Sequence, residues 1–172
     1  MLGLLDNLST EARQELRRMG SVADDIDWPY EVALADGWRA ANLEYHETQR
    51  QLGRREMRSL MAALHLSPPV DAVRELVAAA TEIFLNTDDR RVVTRTKNGE
   101  LRLYATRCHL YEHFVDPRWH GLTACGCFAR RRGWYDAMER AIEEEVLMNR
   151  KWGDPVCQIA IRERAQAARN AA

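Results

Sequence analysis

The segment "RVVTRTKNGELRLYAT", residues 91–106, limits the fold more than any other part of the chain. Two runs rich in β-forming residues flank Asn98-Gly99. Asn-Gly supplies the positive φ angles that a tight type I′ turn needs, so residues 91–107 read as a β-hairpin. What lies before it is helical, which makes the chain α+β rather than a wound α/β sheet.

The helical half can be followed cap by cap. "LSTEARQELRRMG" starts with Ser9 or Thr10 as cap, places Glu11 and Glu15 early and stops at Gly20. A longer helix begins at Trp28-Pro29, where proline costs no helical hydrogen bond, and runs to Gly53. Its stripe of Val32, Ala35, Trp38 or Arg39, Asn42 and Tyr45 or His46 is apolar at one end and polar at the other, which suits the wall of a pocket. "RREMRSLMAALHL" forms another helix ending before Pro68-Pro69, with His65 near its terminus. Val73, Leu76, Val77, Ala80, Ile83 and Phe84 then fall on one core-facing stripe.

After the hairpin comes a loop around Asp116-Pro117, then a helical stretch from about Thr123 to Lys151, broken or bent at Gly133. "VCQIAIRE" alternates, so a last strand over 156–163 puts Cys157, Ile159 and Ile161 on one face. The expected fold is a helical N-terminal half packed on a small antiparallel sheet, the hairpin plus this strand, with covering helices. One domain of 172 residues is expected: an N-terminal helix and linker to 27, a main body over 28–163 and a frayed tail from 164.

A formal net charge of -1 argues against nucleic acid as a partner, and "ARRRGW" at 129–134 is too short to alter that. No apolar run reaches the roughly 18 residues of a membrane span, and the N-terminus does not read as a signal peptide. The expectation is a cytoplasmic protein with reduced thiols, its partner a small-molecule substrate or ligand, with a homodimer left open. Glycine-rich phosphate loops, serine nucleophile elbows and HExxH motifs are missing from the sequence.

Chemistry concentrates in "TRCHLYEHFVDPRWHGLTACGCF", residues 106–128, with three of the four cysteines and three of the five histidines. Cys125 and Cys127 are two apart; in a helix they diverge, in a strand they face opposite sides, so one is expected to face a pocket while the other packs. Only an irregular turn at Gly126 lets both grip one ion. Cys108 shares a strand face with Tyr104 and Thr106 if the hairpin stays regular. Packing is the plain reading of all four cysteines. The sharper one brings Cys108, Cys125 or Cys127, and Cys157 together with a histidine or glutamate as zinc ligands. His109 and His113 share a face if a helical turn follows Cys108. His113 is then the acid/base candidate, with His46 and His109 as substrate-binding candidates. Of Glu143, Glu144 and Glu145, one is expected to lean inward. Arg131, from the 130–132 run, is the candidate anchor for a substrate carboxylate. Arg107 and His109 are suitable neighbours to activate a Cys108 thiolate.

The order of these features is similar to the bacterial L-2-amino-thiazoline-4-carboxylate hydrolase-like family. The residues that carry it are Cys108 at the hairpin exit, Cys125 in "ACGCFARRRGWYDAM", and Gly153, Asp154 and Cys157 in "GDPVC", over roughly 28–163. More distantly the chain resembles vinyl-reductase-type small-ligand-binding domains. The resemblance implies a hydrolase opening a cyclic amide-like or thiazoline-like bond in a small carboxylated substrate. Carried over from the ligand domains, Cys108, Cys125 and Cys157, with Cys127 as a further candidate, would hold a structural zinc. The alternative is then a non-catalytic ligand-binding domain.

Overall fold

The computed structural model describes residues 3–21, 28–85, 91–96, 100–107, 118, 120–122 and 125–163. A 3-10 turn at Leu5–Asn7 leads to helix α1 (Thr10–Ser21), whose start is capped by Ser9 Oγ accepting the Ala12 amide at 3.1 Å. Helices α2 (Trp28–Asp36), α3 (Trp38–Ala63) and α4 (Val73–Phe84) complete the helical half. Strands β1 (Arg91–Arg95) and β2 (Leu101–Ala105) form the hairpin. Helix α5 (Gly126–Met138) and strands β3 (Ile142–Met148) and β4 (Cys157–Glu163) follow.

The expected pair of helices split at Gly53 is corrected. The break comes at Gly37, whose φ of +84° is a left-handed backbone that only glycine takes without strain. Gly53 lies inside α3, where a Cβ would stand 1.9 Å from the Arg130 carbonyl oxygen. Gly133 returns the arrangement: its Cβ would lie 2.0 Å from the Arg50 carbonyl oxygen. Each helix thus presents a residue without a side chain where the other's backbone passes. Both glycines serve contact, and α5 continues through Gly133 without ending.

The α3 terminus is closed by His65 in the left-handed region, at φ 56°. The His65 amide donates to the Ala62 carbonyl at 3.1 Å and the Leu66 amide to the Met61 carbonyl at 2.9 Å, the paired bonds of a Schellman cap. This backbone arrangement is how His65 serves the helix end.

The two strands of the hairpin are present and pair antiparallel. Arg95 pairs with Leu101, and the Thr96 amide donates to the Glu100 carbonyl at 2.9 Å. Asn98 and Gly99 themselves lie outside the described residues.

The larger correction concerns 142–148. The helix expected to reach Lys151 stops at Met138, with Glu139 in the left-handed region at φ 53°. Ile142–Met148 then forms a fourth strand on β4, giving an antiparallel sheet of order β1-β2-β4-β3. β4 is central, and its pairing outweighs the helix preference of Glu, Leu and Met. Leu101 and Leu103 of β2 and Ile159 and Ile161 of β4 face a core shared with Trp134 and Met138 of α5, Leu76 and Val77 of α4, and Met57 and Leu60 of α3. Across the sheet's other side, Glu100 is paired with Arg102 and Arg162, and Arg162 reaches Glu145 at 3.0 Å. The described architecture is α+β, as expected from sequence.

Candidate functional site

The start of α5 gathers the most reactive groups among the described residues. Cys125 is extended, at φ −70° and ψ 132°, while Gly126 and Cys127 are already helical. That switch of backbone turns the two side chains toward each other. Their sulfurs lie 3.2 Å apart, both thiols are reduced and both are buried. The expected divergence of the pair is therefore corrected, by the irregular turn at Gly126 that had been the exception.

Gly126 is also a close-approach position. A Cβ there would meet Tyr45 Oη at 2.5 Å and Gln49 Cγ at 2.9 Å, so α3 rests directly on the beginning of α5. Burial pushes the Tyr45 phenol well up, and the neighbouring Cys125 and Cys127 push it the same way. Tyr45 is consequently a neutral hydroxyl. On the same stretch of α3, Gln49 Oε1 and His46 Nε2 are buried with no hydrogen-bond partner among the described residues. Buried polar atoms in that condition are uncommon and mark places where a further group would be accommodated.

Each thiol acts electrostatically on a cation, Cys125 on Lys151 and Cys127 on Arg131. Lys151 Nζ donates to the Leu122 carbonyl, and burial lowers the lysine's affinity for its proton while Cys125 acts in the opposite sense. Arg131, one turn after Cys127, is fully buried. Burial works against its charge, but the Glu144 carboxylate and Cys127 hold it firmly protonated. Arg131 donates from Nε at 2.9 Å and Nη2 at 2.7 Å to the two Glu144 oxygens, and Tyr135 Oη donates to Oε2 at 2.8 Å. Its guanidinium carbon stands 4.9 Å over the Phe128 ring. Nη1 keeps no partner among the described residues.

Arg130 turns the other way. It donates from Nε to both Glu56 oxygens at 3.0 and 2.9 Å, and Trp134 Nε1 donates to Oε2 at 2.8 Å. The run read as a short basic patch therefore supplies two buried ion pairs. Trp134 is wholly buried, Trp152 is exposed, and Trp119 lies outside the described residues.

Of the sequence candidates, Cys108, His109 and His113 lie outside the described residues. Cys157 is placed at the start of β4, directly opposite Ala105, with its sulfur 3.5 Å from the Arg150 amide and 3.9 Å from Asn149 Oδ1. It helps close the β3–β4 turn. The same turn is held by Asp154 Oδ2 accepting the Asn149 amide at 2.7 Å, Asn149 Oδ1 accepting that of Lys151 at 2.9 Å, and Gly153 at φ +97°. The "GDPVC" segment thus builds the support that carries Lys151. Among the described residues, no group of three or more His, Cys, Asp and Glu side chains is placed to hold a metal ion. The inward acid is Glu144, for a corrected reason: strand alternation faces it to α5 opposite Ile161. Gln49, Glu56 and Lys151 were not foreseen in these roles. Gln49 carried no signal beyond its position one turn after Tyr45.

The sequence matches no protein-family model and no curated protein. Among solved structures the chain is similar to a trafficking protein particle complex subunit 3 from Naegleria fowleri covalently bound to palmitic acid. That match has 15% identity, 90% of this chain and 96% of that one covered, and a TM-score of 0.49. It is also similar to an H-NOX protein from S. oneidensis in the Fe(II)NO ligation state, with 10% identity, 70% and 66% covered, and a TM-score of 0.38. Among the described residues, no helix is long and apolar enough to cross a membrane.

Proposed function

We propose that the chain is a cytoplasmic hydrolase that opens a cyclic amide-like or thiazoline-like C–N bond in a small carboxylated substrate. The observation that carries this reading is the thiol pair 3.2 Å apart with Arg131, holding an unpartnered Nη1, one turn away on the same helix. A nucleophile and a carboxylate anchor on one rigid element are what such a substrate requires. The thiols lie at the start of α5, with Lys151 and Arg131 as the cations whose charge acts on them. The thiolate adds to the electrophilic carbon, the C–N bond breaks, and the ring nitrogen leaves with a proton from an acid such as His113. Water then cleaves the acyl–sulfur bond, and the thiol is restored. His46 and His109 are substrate-binding candidates in this scheme, and Cys108 is an alternative nucleophile.

The test is turnover of a panel of cyclic amides and thiazoline carboxylates by wild type and by Cys108→Ser, Cys125→Ser and Cys127→Ser. Loss of product in one variant, with its circular dichroism retained, identifies the nucleophile. Undiminished turnover in all three ends the thiol mechanism.

The same sulfur pair favours one second reading, a ligand-binding domain with a structural zinc on Cys125, Cys127 and further cysteines. Tetrahedral zinc with bonds of about 2.3 Å would set the sulfurs roughly 3.8 Å apart, so the pair would have to open slightly. Stoichiometric zinc in the purified protein, with loss of folding on chelation, is the expected result of that reading.

A further inference from the structure

We propose that Cys125 and Cys127 are a peroxide-sensitive dithiol, converted reversibly into an intramolecular disulfide. This inference does not depend on the hydrolase reading, because it uses only the placement of the two sulfurs.

Two features of the site support it. The sulfurs already stand 3.2 Å apart, so a disulfide of about 2.05 Å needs only a short further approach. The backbone does not oppose it: two residues fully extended span at most about 7 Å between Cα atoms. That is the upper edge of what a disulfide bridges, and the turn into the helix at Gly126 shortens it. Gly126 also has no side chain to obstruct the closing ring.

Burial selects the oxidant. Only 8% of Cys125 and 7% of Cys127 is exposed, which favours a small oxidant over a protein disulfide. Hydrogen peroxide is such an oxidant. The thiolate attacks one peroxide oxygen, the O–O bond breaks, and a sulfenic acid forms while hydroxide leaves and takes up the thiol's proton as water. The second sulfur then displaces the sulfenic oxygen, which departs with the second thiol proton as another water. Two thiols have lost two electrons to one peroxide, and two waters are made. A dithiol reductant reverses the bond by exchange.

The experiment uses the full-length, fully reduced protein, treated with hydrogen peroxide under native conditions and quenched with acid. The expected intact mass falls by two hydrogens, non-reducing digestion places the link between Cys125 and Cys127, and dithiothreitol restores the starting mass. Cys127→Ser is expected to stop at a sulfenic acid on Cys125 that dimedone captures. The wild-type arm stands even if that variant fails to fold. Three results would overturn the proposal: both thiols still titratable after peroxide, oxygen added to them without a link, or a link to Cys108 or Cys157 instead. Turnover is read separately. Absence of the disulfide with turnover intact removes only the redox proposal, whereas the disulfide without turnover of any substrate leaves it standing and counts against the hydrolase.

Discussion

Arg130 and Arg131 are neighbours on one helix, equally buried, and they do different things. Each is followed four residues later by an aromatic donor, Trp134 for the first and Tyr135 for the second. Each arginine–aromatic pair closes on a single carboxylate, Glu56 from α3 or Glu144 from β3. The Glu56 clamp lies between helices. The Glu144 clamp lies between helix and sheet, beside the thiols, and there Arg131 keeps a donor that nothing among the described residues accepts. The difference teaches that the same residue pattern can lock one layer and leave chemistry available in the next. An unpartnered donor, rather than burial, separates the two.

The comparison can be broken from its strong end. Glu56→Ala leaves the Arg130 charge uncompensated in a dry helix interface, and an abandoned buried partner costs about 3–5 kcal/mol. Urea denaturation should show that loss, and an unchanged midpoint would mean that the clamp does not hold the layers. Glu144→Gln keeps the shape and removes only the charge, at a cost of about 2 kcal/mol for charge-assisted bonds. If the Arg131 layer is the functional one, this variant should also change substrate KM, whereas a conservative Glu56→Gln should leave KM alone.

A third ion pair on α5 supplies the weak limit. Asp136 is partly exposed and accepts Arg50 Nε at 2.6 Å and Arg54 Nε at 3.0 Å. The hydrogen bond from Arg50, then that from Arg54, outweigh burial and hold its carboxyl below the ordinary 3.8. The stability this contributes is fully present above that ordinary value and is lost as pH falls through the lower folded one. Asp136→Asn should therefore cost roughly 0.5–1 kcal/mol at neutral pH, as solvent-screened pairs do. The gap from wild type should close below the carboxylate range. A gap that persists into strong acid would show that the pair acts through shape and not charge.

Where the sequence pattern was regular it was legible. The stripe from Val73 to Phe84, the alternation around Ile159 and Ile161, and the hairpin could all be read before any coordinates. β3 could not, because its inward position 144 carries a glutamate. With Ile142 and Val146 flanking it, the strand period was present but disguised by a charge that only Arg131 makes acceptable inside. Gly53 and Gly133 misled for a related reason. A glycine that ends a helix and one that admits another backbone look the same until the second helix is known. The meeting of Cys125 and Cys127 depended on one residue, Cys125, being extended one step before the helix begins. Residue spacing alone does not contain that step.

Gly126 and Gly133 lie on the same side of α5, both against α3, and 133 − 126 = 7 residues, or about 10 Å of helix, separate them. The sulfur pair is thereby geared to the crossing point two turns away. Adding or removing one residue in that interval would swing the cysteines by about 100° around the helix axis while the crossing held its place. Length, more than residue identity, is what this part of the chain has least freedom to vary.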